Sequence, residues 1–202
     1  MLYYSHIVIR GEEMARERKF NTVELFHEAK QLILENGYDG FTFSLLADRM
    51  EISRAALYKY YENKEELITD FMIYEMEEFL RELSEIEKLE GFEKQFDFLM
   101  DLIFKKTEIQ HLIKAAVHVL ARLEHSNVNK EKLKKLPLEM YKYLHSFILK
   151  GKEEGNLKTH IPDSLIVGFI LQTVAIPNHF AIPHQEWLKS IKEIIRQGMF
   201  TN

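Results

Sequence analysis

The chain contains no cysteine. That removes disulfide scaffolds, thiol nucleophiles and thiolate metal sites together. Only 4 prolines and 8 glycines interrupt its 202 residues, so long helices are expected. Long hydrophobic runs are missing as well. The longest, from Leu165 to Ile176, is broken by Gln172 and Thr173; it falls short of the ~20 residues a membrane span needs and reads as a buried helix. There is no excess of positive charge. Lys and Arg number 27 against 32 Asp and Glu, a net charge of −5, which excludes a uniformly basic coat but not a local basic patch. Residues 1–10 lack the basic start, apolar core and cleavage site of a signal peptide, so a cytoplasmic protein is expected. What is present is ordinary for a globular protein: 46% apolar and 29% charged residues exclude wholesale disorder.

Met14 opens the stretch Met-Ala-Arg-Glu-Arg-Lys, a natural start for a helical protein. Residues 1–13 are read either as an over-read upstream of that start or as a true, weakly ordered extension. The intact mass of natively expressed protein separates the two.

Nearly every segment carries a helical period, and none shows sustained alternation. The first helix is expected from about Thr22 to Asn36, with Leu25, Phe26, Ala29, Leu32 and Ile33 as its apolar stripe and Gly37 at its C-cap. A short helix follows Thr42, whose hydroxyl can cap it, from about Ser44 to Met50. Glu51-Ile52 make a tight connection, and Ser53 caps a third helix from Arg54 to Tyr61. Asn63 and Glu66 form a capping pair for a long helix to about Leu89. Further helices are expected at 92–106, 108–124, 131–154 (interrupted or restarted at Pro137), 163–177 and 184–199, with Thr107 and Asp163 as cap residues.

Helix, tight turn, Ser-capped helix is the pattern of a helix-turn-helix. A helix entering the major groove needs small residues at its start, which Ala55 and Ala56 supply, and donors for phosphates, which Tyr58 and Lys59 supply. Ile52 and Leu57 would lock it onto Ala47 and the first helix. The fixed spacings resemble the tetracycline-repressor (TetR) family of transcriptional regulators. They run Leu25-Phe26-(x2)-Ala29-(x2)-Leu32-Ile33-(x3)-Gly37-Tyr38-(x3)-Thr42, then Leu46-Ala47-(x4)-Ile52-Ser53, then Leu57-Tyr58-Lys59-Tyr60-Tyr61 and Asn63-Lys64-Glu65-Glu66-Leu67. The resemblance implies residue roles. Thr42 would be a phosphate-contacting cap. Ser53, Arg54, Ala55 and Ala56 would face the groove, with Tyr60 on the same helix. Tyr58 and Lys64 would clamp the DNA backbone, and Arg16, Arg18 and Lys19 would form a basic arm. It departs at two points. Glu51 stands where the family has a turn glycine, so a non-glycine residue with positive φ is expected, at a cost on the order of 1 kcal/mol. Ala55-Ala56 stand where the family has Gly-Thr, which removes one hydroxyl. Residues 1–64 carry 9 Lys/Arg against 10 Asp/Glu, and 65–202 carry 18 against 22. The head is therefore only less acidic than the body, and weak, strongly salt-dependent non-specific binding is expected.

Nine histidines raise a metal reading. The Glu24/His27 and Glu108/His111 pairs have the Glu-x-x-His spacing of di-iron bundles, but both lie on polar faces and no metal or cofactor is expected. The middle helices carry aromatic and Met stripes. These read as core, or as the lining of the effector cavity that the resemblance implies, with Phe104, His111, His118, Tyr141, Phe147 and Phe169 as its candidates for a small apolar or aromatic effector. Ile166, Phe169, Ile170, Val174, Trp187, Ile191 and Ile195 on the last two helices read as intramolecular core or as a homodimer interface.

The expectation is thus an all-α fold of about nine helices. A helix-turn-helix DNA-binding domain spans 14–64 (motif about 42–61), and a ligand-binding and dimerisation bundle spans 65–202. The expected function is a ligand-responsive regulator, a repressor released by its effector, acting as a homodimer on a pseudo-palindromic operator. Two readings compete with it: a helical-bundle metal enzyme, and an interaction module that has lost DNA binding.

Overall fold

Breakers are so sparse that helices account for nearly all of the secondary structure. The computed structural model describes residues 20–105 and 128–201. Across them the chain is all-α, with eight α-helices, two 3-10 turns and one isolated antiparallel bridge between Leu157 and Phe200. The expected helix at 108–124, and the segment 1–13, lie outside the described residues. The chain divides into two units after Leu67.

The first unit holds α1 (Thr22–Gly40), α2 (Phe43–Arg49), α3 (Arg54–Tyr58) and the start of α4 (Lys64–Ser84). The Asn21 side chain caps α1 by accepting from Val23 N at 2.8 Å. The stripe Leu25, Phe26, Ala29, Leu32 and Ile33 is buried, as its spacing requires. At Gly37 the backbone turns to φ 70°, ψ 174°. That conformation is open only to glycine, and it ends the first helical run where a C-cap was expected. The bend brings Tyr38 and Phe41 into a core with Leu46, Ala47 and Leu57. Arg49 closes the far side of the head, its two guanidinium nitrogens donating to the Glu35 carboxylate at 3.0 and 2.6 Å.

The second unit continues α4, then a 3-10 turn (Glu85–Lys88), α5 (Phe92–Lys105), α6 (Val128–Glu153), α7 (Asp163–Gln172), a 3-10 turn (Thr173–Ala175) and α8 (His184–Met199). Its core is one cluster centred on Phe96, Leu99, Met100, Ile148, Ile166 and Ile195. Phe92 stacks on Phe147 with ring centroids 4.8 Å apart. A Cβ added at Gly151 would run into the Phe92 ring, so glycine is required there for space. A charged ladder ties α8 to α5. Arg196 donates to Glu93 (3.0 Å) and Asp97 (2.7 Å), and Lys192 pairs with Asp97 (3.2 Å) and Asp101 (2.6 Å). Burial alone would push the Asp97 carboxyl up, but the hydrogen bonds from Arg196 and Lys192 outweigh it and hold it below the ordinary value.

Three expectations are corrected here. α6 runs through Pro137 without interruption, because Leu133, Leu136 and Leu144 are buried on either side of the lost hydrogen bond. α4 gives way to the 3-10 turn after Ser84 rather than reaching Leu89 as an α-helix. Asp163 does not cap α7: Pro162 holds the cap position, with no side-chain bond. Asp163 instead pairs with Lys152 at 2.5 Å and His145 at 3.3 Å, and the Lys152 hydrogen bond holds its carboxyl low.

Candidate nucleic-acid interface

The short helix α3 is positioned by backbone chemistry that the sequence states locally. Thr42 Oγ1 accepts from Leu45 N at 3.3 Å and starts α2. α2 ends in a Schellman turn, with Ile52 N donating to Ala47 O (3.0 Å) and Glu51 N to Asp48 O (3.3 Å). That turn needs a left-handed residue at its next-to-last position, and Glu51 takes it with φ 54°, as expected. Ser53 Oγ then accepts from Ala56 N at 3.3 Å and starts α3. Leu57, fully buried, fixes α3 to the head.

The remaining α3 side chains divide into two groups. Ser53, Arg54, Ala55, Tyr58 and Lys59 are exposed, as is Thr42. Arg54 donates to Ser44 Oγ at 3.3 Å, which aims its guanidinium along α2. The Tyr58 ring rests edge-on against Phe43 at 5.1 Å while the residue stays 58% exposed, so its hydroxyl is presented from a fixed ring. The other group turns inward. Ala56 is only 5% exposed, which corrects its placement on the groove face: it lies one residue before Leu57, on the side of α3 that packs into the head. Tyr60 is half-buried, with its ring against Phe20 at 5.4 Å. α3 ends at Tyr58 instead of Tyr61.

Lys64 is also used internally. Its ammonium donates to Tyr38 O and Phe41 O, both at 3.1 Å, and lies 4.6 Å from the centre of the Tyr38 ring. Tyr38 in turn donates from its hydroxyl to Glu65 at 2.8 Å. This cation fastens the segment after the Gly37 bend to the start of α4, where Asn63 accepts from Glu66 N (2.9 Å) and Glu66 from Glu62 N (2.9 Å). Sequence spacing alone gives no sign of the Tyr38–Lys64–Glu65 cluster, because its members meet only across the bend. Arg16, Arg18 and Lys19 lie outside the described residues.

Of the residues expected at an effector cavity, the described ones fall in different settings. Phe104 and Phe147 are buried in the core, Tyr141 and Phe169 are exposed, and His111 and His118 lie outside the described residues. An open concavity of about 300 Å³ lies between α6 and α7, lined by Tyr141, Lys142, His145, Ser164 and Val167. A second, of similar volume, lies along the charged ladder. The stripe read as intramolecular core or as a homodimer interface divides. Ile166, Ile170, Ile191 and Ile195 are buried in their own unit, and Val174 and Trp187 pack partly against that core. Phe169 stays exposed, together with Leu165, Ile176 and Ile194. α7 is apolar nearly all round, so its pattern cannot say which face turns in. Among the described residues no cluster of His, Asp or Glu is placed to hold a metal, Glu24 and His27 are exposed, and no helix is long and apolar enough to cross a membrane.

Residues 25–70 match the family described as bacterial regulatory proteins, tetR family. No curated protein sequence matches the chain. Among solved structures the chain resembles the transcriptional regulator FadR from Bacillus subtilis, determined in complex with stearoyl-CoA. The identity is 20%, the TM-score 0.66, and the match covers 88% of this chain and 99% of that one. It also resembles the ketosteroid transcriptional regulator KstR2 of Mycobacterium tuberculosis, at 15% identity and TM-score 0.72 over 91% and 97% of the two chains. A third likeness is to AibR, determined in complex with isovaleryl coenzyme A and operator DNA, at 16% identity and TM-score 0.66 over 88% and 97%.

Proposed function

We propose that the chain, whose residues 25–70 match the tetR family of bacterial regulatory proteins, is a DNA-binding transcriptional regulator of that family: a cytoplasmic repressor, binding a pseudo-palindromic operator as a homodimer and released by a small-molecule effector. The observation that carries the reading is the construction of α3. A Schellman turn and a Ser53 cap hold out a short helix whose Arg54, Ala55, Tyr58 and Lys59 face solvent. Such a helix start suits close approach to a groove, with donors for phosphate at its edge. Two-fold symmetry would space two such helices about one DNA turn apart, ~34 Å. The dimer surface proposed is the exposed one, Leu165, Phe169, Ile176 and Ile194, in place of the buried isoleucines.

For the effector we propose a molecule with an apolar body. Acyl thioesters are the first class to test, because FadR and AibR, which share the fold, were determined with stearoyl-CoA and isovaleryl coenzyme A. α4, which begins at Lys64 and continues as one helix into the second unit, would carry the coupling. The same coupling requires DNA to weaken effector binding by the factor by which the effector weakens DNA binding.

Selection of bound DNA from a random pool, followed by mobility shift at 50–200 mM salt, tests the reading (roughly the range over which phosphate contacts weaken most visibly). Arg54→Ala and Lys59→Ala should each weaken binding to all sequences and lower the salt slope by about 1. Failure to enrich any sequence, with affinity indifferent to both substitutions, would favour an interaction module over a DNA reader.

A further inference from the structure

Four arginines lie among the described residues, and three of them are held by carboxylates. Arg49 pairs with Glu35 at 2.6 Å, Arg81 with Glu78 at 2.5 Å, and Arg196 with Glu93 at 3.0 Å and Asp97 at 2.7 Å. The fourth, Arg54, has no carboxylate partner among the described residues. Its Nη1 donates instead to the hydroxyl oxygen of Ser44 at 3.3 Å. The difference is chemical. A carboxylate orders a guanidinium and cancels its charge. A hydroxyl orders it and leaves the whole positive charge outstanding. The bond to Ser44 also engages Nη1 alone, so the edge formed by Nε and Nη2 stays intact. That edge can meet two oxygens of one phosphate side by side.

The place where Arg54 is held matters as well. Ser44 is half-buried in the first turn of α2. Next to it Phe43 supports the Tyr58 ring at 5.1 Å. Arg54 and Tyr58 stand one turn apart on α3, on one face of that helix. One turn of α2 therefore carries both side chains, and the Arg54 guanidinium bridges α3 to α2. Lys59 is exposed on the same helix, but among the described residues no hydrogen bond or ion pair holds it. The two cations of α3 thus differ: one is oriented in advance and the other is not.

We infer that Ser44 is a positioning residue for DNA binding: it fixes Arg54 in an uncompensated pose that takes one backbone phosphate, whatever the base sequence. The inference rests on the DNA-binding reading and names the group that sets one contact within that site. Arginine has among the largest rotamer freedoms of any side chain. Order already present in the free protein need not be imposed when DNA arrives, and affinity rises accordingly.

Two measurements on the full chain test it: mobility shift on the selected DNA, and nitrogen-15 relaxation of the Arg54 Nε–H group in the free protein. Ser44→Ala should make Arg54 Nε–H more mobile. It should weaken binding about fivefold, within the range that immobilising one such side chain costs, and by the same factor on every sequence bound. Ser44→Thr, which keeps the hydroxyl, should stay within about twofold of the parent. In an Arg54→Ala background the effect of Ser44→Ala should vanish, whereas in a Lys59→Ala background it should persist in full. Equal Arg54 mobility in parent and S44A, an S44A affinity equal to that of the parent, or a loss that survives R54A overturns the inference while leaving DNA binding intact. A parent that enriches no DNA overturns the DNA-binding reading itself, and the role of Ser44 with it.

Discussion

The two units keep their apolar side chains on different terms. In the first, the large apolar side chains left exposed are Val23, Leu45 and Tyr58, and the rest of the described surface is made of caps and charges. Among the described residues of the second, every exposed large apolar side chain belongs to α6, α7, α8 or the segment joining α7 to α8. The described residues of α4 and α5 in that unit contribute none. The first unit completes its burial within itself and gives its surface to polar contacts. The second leaves apolar side chains exposed on α6, α7 and α8 and on the segment joining α7 to α8. Where such side chains lie together they mark an association surface.

The contrast breaks if Leu57→Ala and Leu165→Ala behave alike. Leu57 is fully buried, and its truncation should cost the head about 2–5 kcal/mol, read as lost amide protection across α1–α3. Leu165 stands 57% exposed. Its truncation should cost folding no more than about 0.5 kcal/mol and should appear in self-association instead. A smaller effect separates a cation that builds the head from one proposed to contact DNA. Lys64→Met keeps the apolar stem but loses both carbonyl bonds, and should cost about 1–3 kcal/mol, with protection lost first at Tyr38–Phe41. Arg54→Ala should leave stability within about 0.5 kcal/mol; equal losses would erase the distinction.

The smallest effect is in pH and belongs to the second unit. The native Asp97 carboxyl is held below its ordinary 3.8, so the unfolded chain takes up that proton first. The stabilisation is present above that value and is lost as pH falls below it. Burial pushes the Tyr143 phenol up to about 12, and the charge of Glu87 adds to the shift. Its contribution is present below pH 10 and is lost as pH rises from about 10 to 12. Denaturant midpoints across pH should therefore fall at both ends, and Asp97→Asn should flatten the acid end.

The same contrast explains what could be read from the sequence. Thr42, Ser53 and Asn63 act on backbone groups three residues away, so spacing alone identified them, and Glu51 at positive φ followed from the family resemblance, which has a turn glycine there. The burial of Ala56 did not follow, since its methyl suits either face of a short helix. In the second unit the helices were legible but their facing was not. Ile191 and Ile195 are buried while Ile194 is exposed, one residue away. On α7, Ile166 and Ile170 point inward and Leu165 and Phe169 outward, and these side chains are chemically equivalent. Only packing between helices distant in sequence selects among them.

The bend at Gly37 has a consequence of its own. An added Cβ there would meet nothing within 4 Å, and the backbone holds φ 70°, so the obstacle to substitution is handedness and not room. Reflected through a mirror, these torsions fall in the broad extended region that any ordinary residue occupies. A D-amino acid would thus be at ease where all the L side chains are strained. The direction in which the chain leaves its first helix is set by stereochemistry alone, at a site whose side chain has no other work to do.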